Sequence, residues 1–351
     1  MQSPAWQVLK QHHPDWHITL WVAPRGTKAL AEADPAIDHV IEAPIKASLL
    51  QHFKMLQRLR AQKFDLGIVM APGQLVKSAA YLYLAGIPQR IGHHYPFGNH
   101  SASSFLLTNA IPQQNFHDIE QNLNLLTLLG ITPSSPPSYI LMIPTPAQER
   151  AATLLRSLAI PAEKTIIGLH PGSARDFTWK RWPLENFVVI AQRLIKEHNA
   201  HILIFGGSDE EQLKKEIALH IKSLSHPAHL PDEALAKTGG GAGGSGSPVT
   251  IISTDLLTTA ALMQHCRLVI TNDSGLMHLA AAAGAPTLGL FGPTDERRIG
   301  PRGLKSFTIR APDTKPVYDV NTNFHLGSAA HRTLGTLKPE LVSEKINDIL
   351  L

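Results

Sequence analysis

The chain has 351 residues, of which 43% are hydrophobic and 17% are charged, and Lys and Arg exceed Asp and Glu by enough to give a net charge of +4. This balance is typical of a globular protein and argues against a disordered, fibrous or membrane-spanning chain. Because the charge excess is small and no long basic run occurs, we expect no nucleic-acid partner.

The chain has one cysteine, Cys266, so no intrachain disulfide can form, and this fits a cytoplasmic location. The first 15 residues lack the charged and apolar regions of a secretory signal, which favours the same location. The 19 histidines are scattered without the spacing of a zinc site. We therefore expect neither a metal nor a cofactor.

Strand-like and helix-like segments alternate along the first half of the chain, which is typical of an α/β fold with parallel sheets. The sequence predicts helices over 3–13, 48–62, 78–85 and 119–129, and strands over 18–22 and 66–70. A doubly wound domain usually opens with a buried strand. Because this chain opens with a helix, we expect the opening strand of the first domain to be absent.

The second half predicts a further α/β series, with strands over 165–169, 201–205, 268–271 and 287–291 and helices over 147–158, 184–198, 210–223 and 276–283. The Pro- and Ser-rich stretch 132–146 separates the two series, so we predict domains over 1–145 and 146–336, followed by a terminal helix over 337–351. Residues 238–247 have the composition of a flexible loop.

Three loops follow predicted strands of the second domain, and the first of them is HPGS, residues 170–173. Gly172 permits close approach of the backbone to a ligand, Ser173 and Thr178 carry donors for phosphate oxygens, and Lys180 carries a positive charge suited to a diphosphate. A plain turn with a solvated lysine remains open for this loop. Trp182 is predicted to pack against the loop.

The second loop is TNDSG, residues 271–275, which opens a helix. Backbone N–H groups at a helix N-terminus favour an anion, so Ser274 and Gly275 suit a phosphate. Asp273 suits a sugar hydroxyl instead, because like charges repel, and His278 follows in the first helical turn. The alternative is an aspartate that caps the helix beside a surface histidine.

The third loop is FGGSDEE, residues 205–211, in which Glu210 is placed to bind a ribose, or alternatively to complement a helix dipole. Because these loops follow parallel strands of one sheet, we expect them to meet at one edge and to form a site for a nucleotide-diphosphate sugar. No GxGxxG or Walker A pattern accompanies these loops, and no GxSxG pattern occurs, which disfavours dinucleotide oxidoreductases, P-loop enzymes and serine hydrolases.

The segments HPGS…KRWP, FGGSDEE, TNDSGLMHLAAA and LFGPT together resemble glycosyltransferase family 9, and within it the heptosyltransferases of type II. In the first domain, FDLGIVM and KSAAYLYLAGIPQRIGH resemble the acceptor side of that family. The resemblance implies a GT-B fold, in which two Rossmann-like domains face across a cleft. It also implies inverting, metal-independent transfer of heptose from ADP-heptose to the lipopolysaccharide inner core.

The resemblance gives roles to individual residues. Lys180 would hold the donor diphosphate and stabilise the leaving group, Glu210 would bind the ribose, and the backbone near Thr254 would border the adenine. Asp273 would bind heptose hydroxyls. The remaining donor contacts implied by the resemblance come from Ser173, Thr178, Ser274, Gly275 and His278.

The family's usual base is an aspartate in a Gly-Asp loop after the first strand, and neither Asp15 nor Asp38 matches it. We therefore assign no base, and two alternatives stay open. One is an active enzyme, and the other is a truncated or inactive relative that binds a nucleotide sugar without turnover. The implied acceptor is a lipid A–Kdo inner core at an anionic membrane surface on the cytoplasmic side, with Lys54, Arg58 and Lys77 as acceptor candidates.

Overall fold

The computed structural model describes residues 2–23, 26–43, 48–70, 75–94, 104–133, 141–224, 247–316 and 334–351. The chain divides into two compact units. The first runs to Ile140 and also takes in Arg297–Ile299, and the second begins at Leu141 and holds most of the remainder. Most of the Gly-rich segment 238–247 lies outside the described residues.

The described elements of the N-terminal unit alternate between strands and helices. Its strands are β1 (Thr19–Val22), β2 (His39–Glu42), β3 (Leu66–Ile68), β4 (Gln89–His94) and β5 (Asn109–Pro112). Its helices are α1 (Ser3–His12), α2 (Thr27–Glu32), α3 (Leu49–Ala61), α4 (Leu75–Leu84) and α5 (Asp118–Asn124), the last continuing as a 3-10 turn over Leu125–Leu129. As predicted, a helix is the first described element.

The described strands of this unit form two parallel sheets, one with β1 beside β2 and one with the order β3-β4-β5. Helices α3 and α4 pack together over the core residues Ile41, Met55, Leu59 and Tyr81. Ser48 caps α3, because its hydroxyl accepts from the Gln51 amide while the Ser48 amide donates to the Gln51 Oε1.

The C-terminal unit carries the second α/β series. Its strands are β6 (Thr165–His170), β7 (Ala200–Ile204), β8 (Val249–Ile251), β9 (Leu268–Asn272), β10 (Thr287–Phe291) and β11 (Ser306–Arg310). Its helices are α6 (Thr145–Ser157), α7 (Leu184–Glu197), α8 (Glu211–Leu224), α9 (Leu256–Met263), α10 (Gly275–Ala282) and α12 (Pro339–Leu350). The short helix α11 (Glu296–Ile299) spans the boundary between the two units.

These six strands form one parallel sheet with the order β11-β10-β9-β6-β7-β8. The chain starts in the middle at β6, winds outwards to β8 and then returns to β9, which is the doubly wound arrangement. Strands β7, β9 and β10 are buried along their whole length, as expected for a parallel sheet covered on both faces. Helix α7 packs on one face through Phe187, Ile190 and Leu194.

Sequence periodicity missed several short elements, including α2, β2, β4, β5, β8, α9 and β11. Trp182 was predicted to pack against the HPGS loop; its buried indole lies edge-on to Phe187 of α7 at 5.1 Å and donates to the Leu337 carbonyl at 2.8 Å. Cys266 is buried, and burial raises the pKa of its thiol. Within the described residues, no helix is both long and apolar enough to cross a bilayer.

Candidate functional site

The predicted donor residues lie on loops that leave the carboxyl ends of β6, β7, β8 and β9. These four strands are neighbours in the parallel sheet, in the order β9-β6-β7-β8, so their carboxyl ends share one edge. An edge of this kind, where the chain direction across the sheet reverses, is where doubly wound folds bind ligands. The fold therefore brings together loops that are up to about 100 residues apart in sequence.

An ion pair between Lys180 and Asp273 joins two of these loops. The Lys180 Nζ lies 2.6 Å from the Asp273 Oδ2, and the two side chains are only 14% and 6% exposed. The ammonium also lies 5.4 Å from the ring centres of Phe177 and Trp179, which provide favourable cation–π contacts. Sequence analysis gave these two charges to different parts of one ligand, and the structure places them in direct contact.

The other two residues predicted on the first loop differ from each other in exposure. Ser173 is buried, and its hydroxyl donates to the Phe177 carbonyl at 2.8 Å and accepts from the Arg181 Nε at 3.1 Å. This hydroxyl therefore holds the loop in shape within the protein. Thr178 is exposed at the surface of the same loop.

A buried polar network connects Glu210 with the start of α10. The His170 Nε2 lies 3.2 Å from the Glu210 Oε2, and its Nδ1 lies 3.0 Å from the Ser274 Oγ and 3.1 Å from the Thr271 Oγ1. Because a carboxylate only accepts hydrogen bonds, His170 donates to Glu210 through Nε2. His170 belongs to the HPGS motif, but the sequence alone predicted no role for it.

The charge state of Glu210 follows from this network. Burial acts to raise the pKa of Glu210, but the hydrogen bonds from His170 and from the Gly207 amide, together with the charge of Arg181, hold it below its ordinary value. Glu210 is therefore a carboxylate near neutral pH, and its oxygens act as acceptors.

Gly172 makes room for the Glu210 side chain. A Cβ atom added at Gly172 would lie 1.7 Å from the Glu210 Oε1, which is far inside van der Waals contact. Gly206 has a related role, since a Cβ atom there would lie 2.9 Å from the Glu210 Oε2. The glycines of the HPGS and FGGS segments thus set the position of one carboxylate.

The N-terminus of α10 is open towards the surface. Ser274 caps the helix by accepting from the Met277 amide at 3.3 Å, and Gly275 is exposed, with no atom within 4 Å of the position a Cβ would take. His278, one turn further along, is half-buried. The open first turn leaves space for a ligand beside backbone N–H groups.

Thr254 is exposed after β8, and its hydroxyl lies 2.9 Å from that of Thr259. Beneath this loop lies a lysine that sequence analysis missed. Lys214 is completely buried and donates to the Gly206 carbonyl at 3.2 Å, the Ile252 carbonyl at 3.0 Å and the Ser253 Oγ at 2.9 Å. It therefore ties the loop that carries Glu210 to the loop that carries Thr254.

Asn272 is a second buried residue that sequence analysis did not single out. Its Nδ2 donates to the carbonyls of Pro171 and Gly172 at 2.7 and 3.2 Å, and its Oδ1 accepts from the Trp182 amide at 3.0 Å. The end of β9 thereby fixes both ends of the loop that carries Lys180.

The acceptor candidates Lys54, Arg58 and Lys77 belong to the N-terminal unit, and all three are exposed. Lys54 and Arg58 lie one turn apart on α3, and Lys77 lies in the first turn of α4. Among the residues that the structure describes, no group of three His, Cys, Asp or Glu side chains is arranged to hold a metal ion.

Residues 52–323 match the model of glycosyltransferase family 9 (heptosyltransferase). The chain belongs to glycosyltransferase family 9. It is 28% identical to lipooligosaccharide heptosyltransferase 2 of Haemophilus influenzae and 27% identical to lipopolysaccharide heptosyltransferase 2 of Escherichia coli. These alignments cover all of this chain and 95% and 94% of the two relatives.

Solved structures of the family confirm the GT-B fold for this glycosyltransferase. The E. coli ADP-heptose lipopolysaccharide heptosyltransferase II superposes with a TM-score of 0.72 at 22% identity, covering 99% of this chain and 94% of that chain. A family 9 glycosyltransferase of Veillonella parvula gives a TM-score of 0.74 at 21% identity, covering 99% and 92%. The fold and family predictions from sequence are therefore confirmed.

Proposed function

We propose that this family 9 glycosyltransferase transfers heptose from ADP-heptose to the inner core of lipopolysaccharide, with inversion and without a metal ion. The observation that carries the proposal is the Lys180–Asp273 pair, which brings a phosphate-binding charge and a hydroxyl-binding carboxylate together at 2.6 Å. The names of the two full-length relatives, both heptosyltransferase 2, support the choice of sugar and acceptor. An E. coli heptosyltransferase of the same fold was solved with ADP.

In this proposal the donor diphosphate lies between Lys180 and the exposed first turn of α10, where Gly275 leaves the approach to the backbone open. Ser274 and His278 border the phosphate and the sugar, Thr178 lies at the outer side, and Ser173 shapes the loop from within. Asp273 accepts from heptose hydroxyls while it holds the ammonium of Lys180.

Glu210 accepts from the ribose hydroxyls, because its pKa lies below the ordinary value and it therefore stays ionised. The adenine lies beside the exposed loop at Thr254, which Lys214 ties to the Glu210 loop. Four strand ends thus share the recognition of one nucleotide sugar in this proposal.

The proposed reaction is a displacement at the anomeric carbon. A hydroxyl of the acceptor attacks that carbon, the bond to the diphosphate oxygen breaks, and ADP leaves from the opposite face. Lys180 and the N–H groups at the start of α10 stabilise the negative charge that develops on the leaving diphosphate. We assign the proton of the attacking hydroxyl to no residue of this chain.

The proposed acceptor is a lipid A–Kdo inner core on the cytoplasmic side of an anionic membrane, and Lys54, Arg58 and Lys77 are its candidate contacts. Their exposure in one unit supports an anionic partner there. A nucleotide-sugar-binding protein without turnover is the second candidate, because no aspartate of the chain matches the base that the family resemblance implies.

Titration calorimetry tests the donor, and a transfer assay separates the two candidates. We expect binding of ADP in preference to UDP and GDP, and preference for UDP or GDP would contradict the proposal. Release of ADP from ADP-heptose in the presence of an inner-core acceptor supports the enzyme. Donor binding without release supports the binding protein.

A further inference from the structure

The central part of the N-terminal unit has a strongly one-sided charge. Between residues 43 and 117 the only acidic residue is Asp65. The same stretch holds a set of basic residues, Lys46, Lys54, Arg58, Arg60, Lys63, Lys77 and Arg90. This local excess is greater than the net charge of +4 for the whole chain, so the remainder of the protein is slightly acidic. Such a stretch favours an anionic partner.

Large apolar side chains are exposed within this basic stretch, at the start of α3. Leu49, Leu50 and Phe53 are 89%, 61% and 54% exposed. At 100° per residue these three side chains fall within one third of the helix circumference, whereas Met55 and Leu59 of the same helix are buried in the core. The apolar surface is therefore a face of its own, separate from the face that packs the fold.

The first turn of α3 is held in a fixed conformation by the reciprocal bonds of Ser48 and Gln51. Helices α3 and α4 run in the same direction, because His52 near the start of α3 contacts Tyr81, whereas Arg60 near its end contacts the Leu84 carbonyl at the end of α4. The two helices therefore begin on the same side of the unit. The first turn of α4 exposes a further apolar side chain, Val76.

The starts of α3 and α4 follow the carboxyl ends of β2 and β3. Together they carry exposed apolar and basic side chains, which we call the α3/α4 rim: Leu49, Leu50, Phe53, Lys54, Val76 and Lys77. In parallel α/β units this is the side at which ligands bind.

We propose that the α3/α4 rim docks the protein on an anionic lipid bilayer, with Leu49, Leu50 and Phe53 entering the headgroup region while Lys54 and Lys77 contact lipid phosphates. The pairing of exposed Leu and Phe with Lys and Arg, with no acidic residue in either helix, is the composition of an interfacial amphipathic helix. A protein partner with a neutral surface would not require seven basic residues against one acid over 75 residues. The inference deepens the proposed function, because a lipid-linked acceptor would be presented at this surface.

Vesicle co-sedimentation of the full chain tests the proposal. The probes are vesicles of phosphatidylethanolamine with phosphatidylglycerol and, for comparison, vesicles of phosphatidylcholine alone. We expect binding to the anionic vesicles that weakens as salt is raised. The double variant Leu50→Ser with Phe53→Ser should lose about tenfold or more in vesicle affinity, because two apolar side chains no longer leave water.

The matched control is Leu304→Ser, which removes a side chain that is 93% exposed in the other unit and should leave vesicle binding unchanged. The variant Lys54→Gln with Arg58→Gln should bind more weakly and with a flatter salt dependence. Because all four substituted residues of the α3 variants are exposed, circular dichroism should match the wild type.

The proposal is overturned if the Leu50→Ser, Phe53→Ser variant binds anionic vesicles as tightly as the wild type. It is also overturned if the wild type forms a dimer without vesicles that this variant loses, since the rim would then be an interface between copies. Calorimetry with ADP on the same samples keeps the two proposals apart. If vesicle binding fails while ADP still binds, the rim proposal is wrong and the donor-site proposal is unaffected. If ADP does not bind while vesicles still do, the donor-site proposal is wrong and the rim proposal is unaffected.

Discussion

Replacing Lys180 by alanine tests the donor site most directly. The ammonium is 14% exposed and lies 2.6 Å from Asp273, so in the free protein its charge is already partly neutralised. A hydrogen bond between a charged donor and a phosphate contributes about 1.5–3 kcal/mol. At about 1.4 kcal/mol for each factor of ten, that range corresponds to an ADP affinity weakened roughly 10- to 150-fold. We expect the lower half of the range, because Lys180 must share its charge with Asp273.

The variant Asp273→Asn provides the matched comparison. It removes the negative charge that competes with phosphate for the ammonium, so ADP should bind at least as tightly as in the wild type. The double variant of both residues should show non-additive effects, because the two groups are in contact. It also controls for stability, since Lys180→Ala alone leaves a buried carboxylate without its cation.

The assay is calorimetric titration with ADP at constant pH and ionic strength, with circular dichroism to check that each variant is folded. Lys215→Ala, which removes an exposed charge from α8, is the control for general electrostatic effects. A folded Lys180→Ala protein that binds ADP within about twofold of the wild type would remove Lys180 from the site, because the loss would be smaller than one charge-assisted bond.

Three further substitutions probe the packing around the site and in the first unit. Gly172→Ala should displace Glu210, because the new Cβ would lie 1.7 Å from its Oε1, and calorimetry should show weaker ADP binding. Lys214→Met should lower the free energy of unfolding by about 2–4 kcal/mol in urea titrations, since buried carbonyls lose their donor, whereas the exposed control Lys215→Met should change it by less than about 0.5 kcal/mol. Burial raises the pKa of Asp118 from its ordinary value of 3.8 to about 6, so the folded state binds this proton more tightly than the unfolded state. The free energy of unfolding should therefore fall as pH rises through that window, and Asp118→Asn should abolish that part of the decline, by up to about 3 kcal/mol.

The strands that sequence predicted are those with continuous apolar runs. Strands β9 and β10 are buried at every position, so their sequences LVITN and TLGLF contain little else than apolar and small residues. Strands β2 and β5 have exposed ends, with His39, Glu42 and Asn109 at their termini, and their pattern does not differ from that of a loop. The pattern of apolar residues along the sequence reveals a strand when the strand is buried, and it reveals much less when only part of the strand is buried.

The sequence predicted that the loops of the candidate site share one edge of the sheet, but it did not predict their contacts. Gly172 and Lys180 stand out in sequence because loops after parallel strands, glycines and cations suggest a phosphate site. His170, Lys214 and Asn272 act through partners that lie as far as 104 residues away, and all three are polar residues that a sequence places equally well at the surface. Only the strand order brings their partners within reach.

Asn272 shows why the site can keep its shape without a ligand. Its amide satisfies two carbonyls of the β6 loop and one backbone amide at Trp182, so the segment that carries Lys180 is held at both ends by the neighbouring strand. Each of these groups is buried, and an unmade hydrogen bond there would cost about 1–3 kcal/mol. In the proposed function, a loop closed in this way would bind the donor without first being ordered, which would leave more of the contact energy for affinity. The Lys180–Asp273 ion pair would then be the contact that the donor has to rearrange.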